Sequence, residues 1–288
     1  MRQRQIYQLV TATAREQGSQ VIAASHSEVV LAEAAGRDVV IAFVGGAHRI
    51  GDRGSQVLKA LKDIPFDHYY QAEQTGWVLY VEGSTDLAIL KAFAETLEHR
   101  AAAALERPFV HYVANHPPAA RNHFYGIREA RPDLVGLALF DRIGARLETG
   151  TPLEETMWRR RELENYLALP EVLDAYAEAG ADEDVPGPLF AASERDRRRA
   201  LMRECVADLV PPIALRDRSD LWWSDTKASD DFLDRLFETY FRRLSLPNLM
   251  RKTDYHVLAR LVPADLIDSE VTEKLDRIDD VAGRARRP

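Results

Sequence analysis

Three carboxylates in the middle of the chain lie where ligands usually bind in a parallel α/β sheet. The apolar run Trp77–Val81 is followed at once by Glu82, a glycine turn and Asp86. A second apolar run, residues 136–140, is followed by Asp141. Because ligands of such sheets bind at the carboxyl ends of the strands, we expect these side chains to meet at one edge. Carboxylates placed together repel one another unless a cation lies between them, and Mg²⁺ prefers oxygen ligands.

Each acidic segment also has a purely structural interpretation. Acids such as Glu82 and Asp86 cap a helix N-terminus and complement its dipole. Asp141 then does no more than begin a turn. The occurrence of both segments within one strand–helix–strand–helix–strand unit favours the cation site over these alternatives.

The alternation of apolar and polar runs predicts the elements that position these acids. Strands are expected at Trp77–Val81, 109–113 and 134–140, with helices over 86–105 and 119–130. Such alternation is typical of a parallel sheet with helices packed on both faces. The predicted fold class is therefore α/β and Rossmann-like.

The remainder of the chain divides around this unit. The predicted domains are 1–75, 76–169, a helical insertion over 170–247, and a return to the sheet domain over 248–288 that ends in a charged tail. Five further features are expected: strands at 20–24 and 38–44, a short helix at 56–61, a boundary at 62–76 and a loop or hairpin at 145–158.

Composition limits the classes of function. The chain has 288 residues, of which 46% are hydrophobic and 29% charged, as is ordinary for a globular protein. Its 38 basic and 46 acidic residues give a net charge of −8, which argues against a surface that attracts polyanions everywhere. An enzyme that places metal ions between its carboxylates and a phosphate remains compatible with that charge.

Cysteine content and apolar runs set the expected compartment. The single cysteine, Cys205, excludes an internal disulfide and a multi-cysteine zinc site. The longest apolar runs are too short to span a bilayer, and the first 20 residues lack a signal-peptide core. We therefore expect a cytoplasmic protein with no membrane contact.

Residues 81–86, read together with residues 139–141, resemble a Toprim domain, the metal-binding fold shared by topoisomerases, primases and a group of nucleases. The resemblance implies that Glu82 is the glutamate after the first strand. It also implies that Asp141 is the first aspartate of an Asp-x-Asp pair. The second position of that pair is Ile143, which cannot bind a metal, so either a ligand comes from elsewhere or one metal site is weakened.

Three further segments resemble the OLD (overcoming lysogenization defect) family of nucleases, in which an ATPase domain precedes a Toprim domain. Residues 20–27 are similar to the end of an ABC-type ATPase domain, with His26 at its switch position. Residues 159–167 are similar to the family's basic stretch ending in Ile/Leu-Glu-x-Tyr, and residues 249–255 to its late lysine segment.

The resemblance implies that residues 1–75 are the C-terminal remnant of an ATPase domain. No Gly-x-x-x-x-Gly-Lys-Ser/Thr motif occurs in the chain, so an ATP site cannot be completed. ATP is therefore expected only in a longer form of the protein, and His26 is expected to be idle here.

The same resemblance supplies the remaining site residues. Glu164 is the first candidate for the missing ligand and Glu162 the second; on a strand they share a face, and on a helix they diverge. Lys252, one of only six lysines, is implied to lie near the scissile phosphate and to offset charge in the transition state. The alternatives are a salt-bridged helix start and a surface lysine. The histidines other than His26 form no metal-binding pair at helical spacing and are expected to be ordinary.

The leading functional hypothesis is a metal-dependent DNA endonuclease. Two Mg²⁺ or Mn²⁺ ions, held by Glu82, Asp86, Asp141 and Glu164, activate a water and stabilise the departing 3′ oxygen. One alternative is a topoisomerase- or primase-type Toprim enzyme, and another is a non-catalytic module for DNA docking or assembly. The family resemblance further implies a role in anti-phage defence, a possible homodimer and, in some members, a helicase partner.

Overall fold

The computed structural model describes residues 2–25, 27–34, 37–43, 47–50, 64–148, 150, 152–181 and 188–285. His26 and the helix expected at 56–61 lie outside these residues. The strands are β1 (Val40–Phe43), β2 (Ala47–Ile50), β3 (Trp77–Val81), β4 (Val110–Tyr112), β5 (Val135–Phe140) and β6 (Leu153–Met157). The helices are α1 (Arg2–Glu16), α2 (Glu28–Ala34), α3 (Phe66–Thr75), α4 (Ser84–Thr96), α5 (Ala101–Glu106), α6 (Pro117–Arg128), α7 (Pro170–Ala179), α8 (Pro188–Leu209), α9 (Pro212–Arg216), α10 (Trp222–Asp225), α11 (Asp234–Leu244), α12 (His256–Leu261) and α13 (Ser269–Gly283).

A four-stranded parallel sheet lies at the centre of the fold, with the strand order β4-β3-β5-β6. Every residue of β3 is buried, as expected of a strand that is covered on both faces. Since β3 pairs with both β4 and β5, the carboxyl ends of these three strands meet at one edge. The prediction of an α/β fold with a parallel sheet is confirmed.

Helices cover both faces of the sheet, also as predicted. On one face Leu79 and Leu137 pack in a core with residues of α4, α7, α11, α12 and α13. On the other face Val78 and Tyr80 pack against α3 and α6, in a smaller core that includes Phe124. A β-carbon on Gly136 would lie 2.8 Å from the Phe124 ring, which shows how closely α6 approaches the sheet.

The helical insertion predicted over 170–247 is helical, but its apolar side chains share the larger core. Val172 of α7 and Phe237 of α11 belong to the same buried cluster as Ile89 of α4 and Leu258 of α12. Because residues 170–247 complete this core, side chains of the insertion can be held in fixed positions next to the sheet.

Three predicted local features differ from the structure. Residues 20–24 form no strand, because they pair with no other strand in the described part of the chain. Ile22, in the middle of this run, is 92% exposed. The boundary expected at 62–76 contains α3, which starts after Pro65, ends at the left-handed Gly76 and buries Tyr69. Residues 145–158 contain β6, which is parallel to β5 and so cannot form a hairpin with it.

The helix expected over 86–105 is divided into α4 and α5. Glu98 lies between them with a φ of 49°, a left-handed conformation that ends the first helix. Within the described residues, no helix has the length and apolar character required to cross a membrane.

Candidate metal centre

The turn from β3 into α4 positions the first two acids. Gly83 is the N-cap of α4, and its backbone N–H donates to Asp86 Oδ2 at 2.9 Å. Asp86 therefore caps the helix, as the structural interpretation predicts, and lies at the edge of the sheet at the same time. Glu82, directly after β3, is exposed and opens this edge to solvent.

A reciprocal pair of hydrogen bonds holds Asp141 at the end of β5. Asn115 Nδ2 donates to Asp141 Oδ2 at 2.9 Å, and the Asp141 backbone N–H donates to Asn115 Oδ1 at 2.9 Å. The backbone N–H of Leu163 donates to the other carboxylate oxygen at 3.3 Å. Asn115 follows β4 with a φ of 57°, a left-handed conformation that asparagine tolerates well. The turn after the edge strand β4 thereby fixes the orientation of Asp141, which follows β5 on the far side of β3.

Glu82, Asp86 and Asp141 form one acidic cluster, in which each offers a carboxylate oxygen within 4.8 Å of the others. Burial, followed by the charge of Glu82, raises the pKa of Asp86 to about 6. Burial, a hydrogen bond with Glu82 and the charge of Asp86 raise the pKa of Asp141 well above its usual range. Bringing three negative charges together is therefore unfavourable, and a bound cation would relieve that cost.

Glu164 lies on a short 3₁₀ turn, Leu163–Tyr166, of which Glu162 is the N-cap, and the surroundings of the two glutamates differ. Glu162 is 3% exposed and accepts a short hydrogen bond from the backbone N–H of Ser229. Glu164 is 7% exposed, and burial and the charges of Glu162 and Asp86 raise its pKa to about 8. Neither belongs to the acidic cluster, but Glu164 is close enough to Asp86 to respond to its charge.

Lys252 brings a positive charge to this group of acids. Its ammonium nitrogen donates to Ser229 Oγ at 3.1 Å and lies 3.4 Å from Asp230 Oδ1. Burial lowers its pKa, whereas the charges of Glu164 and Asp230 raise it, and the net shift is upward. The lysine therefore stays charged at neutral pH, beside the two buried glutamates.

Three residues of this centre were not among the sequence candidates. Asn115 had a usable signal, because it follows a predicted strand at the same edge of the sheet. Ser229 and Asp230 had none, because they lie on a π-helical turn (Ala228–Leu233) within the insertion. Their contacts with Glu162 and Lys252 arise only when the insertion packs against the sheet domain.

Comparison with known proteins adds no relative: no family model, curated protein or solved structure matches this chain. The role of this candidate centre is therefore inferred from its own residues.

Proposed function

We propose that this protein is a metal-dependent DNA endonuclease that hydrolyses phosphodiester bonds with two divalent cations, Mg²⁺ or Mn²⁺. The observation that carries the proposal is the acidic cluster at the carboxyl edge of a parallel sheet, with the charge of Lys252 near enough to lower the pKa of Asp86. The order of the OLD-like and Toprim-like segments along the chain supports the same function.

The donor set fits hard divalent cations, which prefer oxygen ligands and need negative charge around them. Glu82, Asp86 and Asp141 would hold one ion, and Glu164 is the candidate to complete the site of the second, with Glu162 as its substitute. Bound ions would lower the pKa of an attacking water and stabilise charge on the departing oxygen.

The protein's own groups contribute position and charge. Asn115 holds the Asp141 carboxylate in one orientation, which is the usual part played by the outer neighbours of a metal ligand. Lys252 supplies a fixed cation that can offset the charge developing on a scissile phosphate. Because Ser229 and Asp230 orient the ammonium group, the insertion takes part in building the centre.

The broader setting of the proposal follows from the family resemblance. DNA is the proposed partner, and a longer form with a complete ATPase domain is the proposed context, in anti-phage defence. A homodimer and a helicase partner belong to the same proposal. So does a location in the reducing cytoplasm, which is compatible with the free, buried thiol of Cys205.

The decisive experiment is a cleavage assay on supercoiled plasmid with Mg²⁺, Mn²⁺, Ca²⁺ or EDTA and without ATP. We expect nicked and linear products with Mg²⁺ or Mn²⁺ and none with EDTA. Glu82→Ala and Asp141→Ala should be inactive with unchanged circular dichroism, whereas Glu106→Ala, which alters an exposed acid on α5, should cleave normally.

Three outcomes would contradict the proposal. No cleavage with any cation, together with retained DNA binding, would identify a docking module. A covalent protein–DNA adduct with relaxed plasmid would identify a topoisomerase. Strict dependence on added ATP would show that the metal centre does not act independently of an ATPase domain.

A further inference from the structure

Three histidines that share no sequence motif come together on the face of the sheet covered by α3 and α6. They are His68 of α3, His111 of β4 and His123 of α6, and each offers a ring nitrogen within 4.8 Å of the others. We call them the histidine triad. The sequence predicts ordinary histidines because none of them form a pair at helical spacing. The triad instead joins residues from two helices and a strand, which no such spacing reveals.

The buried member of the triad is held from both sides. His123 is 7% exposed; its Nε2 lies 2.8 Å from Nδ1 of His68, and its Nδ1 lies 2.8 Å from the hydroxyl of Tyr80. When Nδ1–H donates to the Tyr80 oxygen, Nε2 is left with its lone pair directed toward the triad. A histidine that binds a metal has this arrangement, in which the second nitrogen is hydrogen-bonded and the tautomer is thereby fixed.

The triad is also in the right protonation state for a metal. Burial lowers the pKa of His68 and His111, and burial with the neighbouring imidazoles lowers that of His123 to about 2. The rings are therefore neutral at pH 7, and neutral imidazole is the form that coordinates metals.

We propose that the histidine triad binds a divalent transition metal of the zinc class through three imidazole nitrogens, with the fourth position left for water or another small donor. Imidazole suits Zn²⁺, Cu²⁺ and Ni²⁺, whereas carboxylates suit Mg²⁺ and Mn²⁺, so this site and the acidic cluster select different ions. The proposal does not depend on nuclease activity.

Binding requires a change of tautomer and two small movements. With the lone pair of His123 on Nε2, the hydrogen of the 2.8 Å contact is on Nδ1 of His68, so His68 must carry its proton on Nε2 when Nδ1 binds the metal. Nitrogens about 2.05 Å from a tetrahedral zinc lie about 3.3 Å apart, so the 2.8 Å gap between His68 and His123 must open by about 0.5 Å. The ring of His111 is stacked on that of His123 at 3.8 Å and must turn about its Cβ–Cγ bond to direct a nitrogen at the same point. β4 is an edge strand and His111 is only half-buried, so the ring that must turn lies at the margin of the core.

The test uses the metal-stripped full chain without a histidine tag, in excess Mg²⁺ to fill the acidic cluster. Co²⁺ is the spectroscopic probe and Zn²⁺ the competitor. We expect one Co²⁺ per chain, with the visible absorption of a tetrahedral ion, and its displacement by one equivalent of Zn²⁺. His68→Gln and His111→Gln should abolish that absorption, with folding checked by circular dichroism.

Two further variants distinguish Co²⁺ bound at the triad from Co²⁺ bound elsewhere on the chain. Tyr80→Phe retains the buried ring but loses the hydroxyl, and should weaken Co²⁺ binding by about 10- to 100-fold. The double variant Glu82→Gln and Asp141→Asn should bind Co²⁺ as the unaltered chain does. Absence of tetrahedral Co²⁺ in the unaltered chain would overturn the proposal, as would binding that survives both histidine substitutions or is lost in the acidic double variant.

Discussion

Replacing Glu164 by glutamine should make the metal-free protein more stable. The side chain is 7% exposed, and burial with the charges of Glu162 and Asp86 raises its pKa from 4.5 to about 8. Between these two values the folded protein binds more protons at this site than the unfolded chain does. The contribution of Glu164 to folding stability is therefore greatest below about pH 4.5 and decreases as the pH rises toward 8.

The size of the effect follows from the same values. Raising the pH from 4.5 to 7.5 spans about three units at about 1.4 kcal/mol each, which gives an upper limit of about 4 kcal/mol. Reorientation of nearby dipoles and entry of water reduce the cost of burying the charge. We therefore expect Glu164→Gln to gain about 1–2 kcal/mol at pH 7.5, or about 2–3 °C in Tm for a chain of this size.

The assay is thermal unfolding in EDTA at pH 4.5 and pH 7.5. Glu164→Gln should match the unaltered protein at the lower pH and exceed it at the higher pH. Glu106→Gln, a change to an exposed acid, should be neutral at both. A lower Tm for Glu164→Gln at pH 7.5 would refute the reasoning, because it would mean that Lys252 stabilises the carboxylate by more than its burial costs.

Adding Mn²⁺ to the same proteins tests whether Glu164 binds the metal. The unaltered chain should then gain more Tm than Glu164→Gln, because glutamine is a weaker ligand than a carboxylate. Glu164→Ala should reduce plasmid cleavage steeply, and high Mn²⁺ should recover part of it, whereas Glu82→Ala should not recover. Normal cleavage by Glu164→Ala would transfer the role to Glu162 or to a single-ion site.

Three further predictions test other parts of the structure. Lys252→Ala should lower the rate of plasmid nicking by about 10²- to 10³-fold while Mn²⁺ affinity, measured by calorimetry, is retained; an unchanged rate would remove the lysine from the reaction. Asn115→Ala removes both hydrogen bonds that orient the neighbouring aspartate, so Mn²⁺ affinity should fall by about 10- to 100-fold, and equal affinity would contradict that role. Gly136→Ala places a β-carbon 2.8 Å from the Phe124 ring and should cost about 1–3 kcal/mol in urea unfolding. Gly144→Ala, which meets nothing within 4 Å, is its control, and equal losses in both variants would show that packing against α6 is not the cause.

The sheet could be predicted where its strands lie in apolar runs of the sequence. β3 and β5 are unbroken apolar runs, which are typical of strands that are covered on both faces. β6 reads Leu-Glu-Glu-Thr-Met, with three polar residues between two apolar ones, so its sequence does not distinguish a parallel edge strand from a loop or one arm of a hairpin. α3 is mostly polar and is held by a few side chains such as Tyr69, so local sequence does not distinguish it from a linker.

The candidate metal centre could be predicted where it depends on strand ends. The positions of Glu82, Asp86 and Asp141 follow from the direction of the parallel strands, which brings their carboxyl ends together. The contacts of Ser229 and the histidine triad are tertiary, because they join elements that no short spacing connects. Such contacts depend on how helices dock on the sheet, and a single sequence carries little information about docking.

The position of α13 at the end of the described chain affects folding during translation. Val271, Leu275 and Ile278 of this helix lie in the larger core, and the helix contacts both β3 and β5. A ribosome delivers these strands long before residues 269–283, so one apolar face of the sheet is incomplete through most of translation. Partly folded chains with exposed apolar surface are prone to aggregate. A premature stop before α13 would therefore leave a nascent chain that depends on chaperones and is a target for proteolysis.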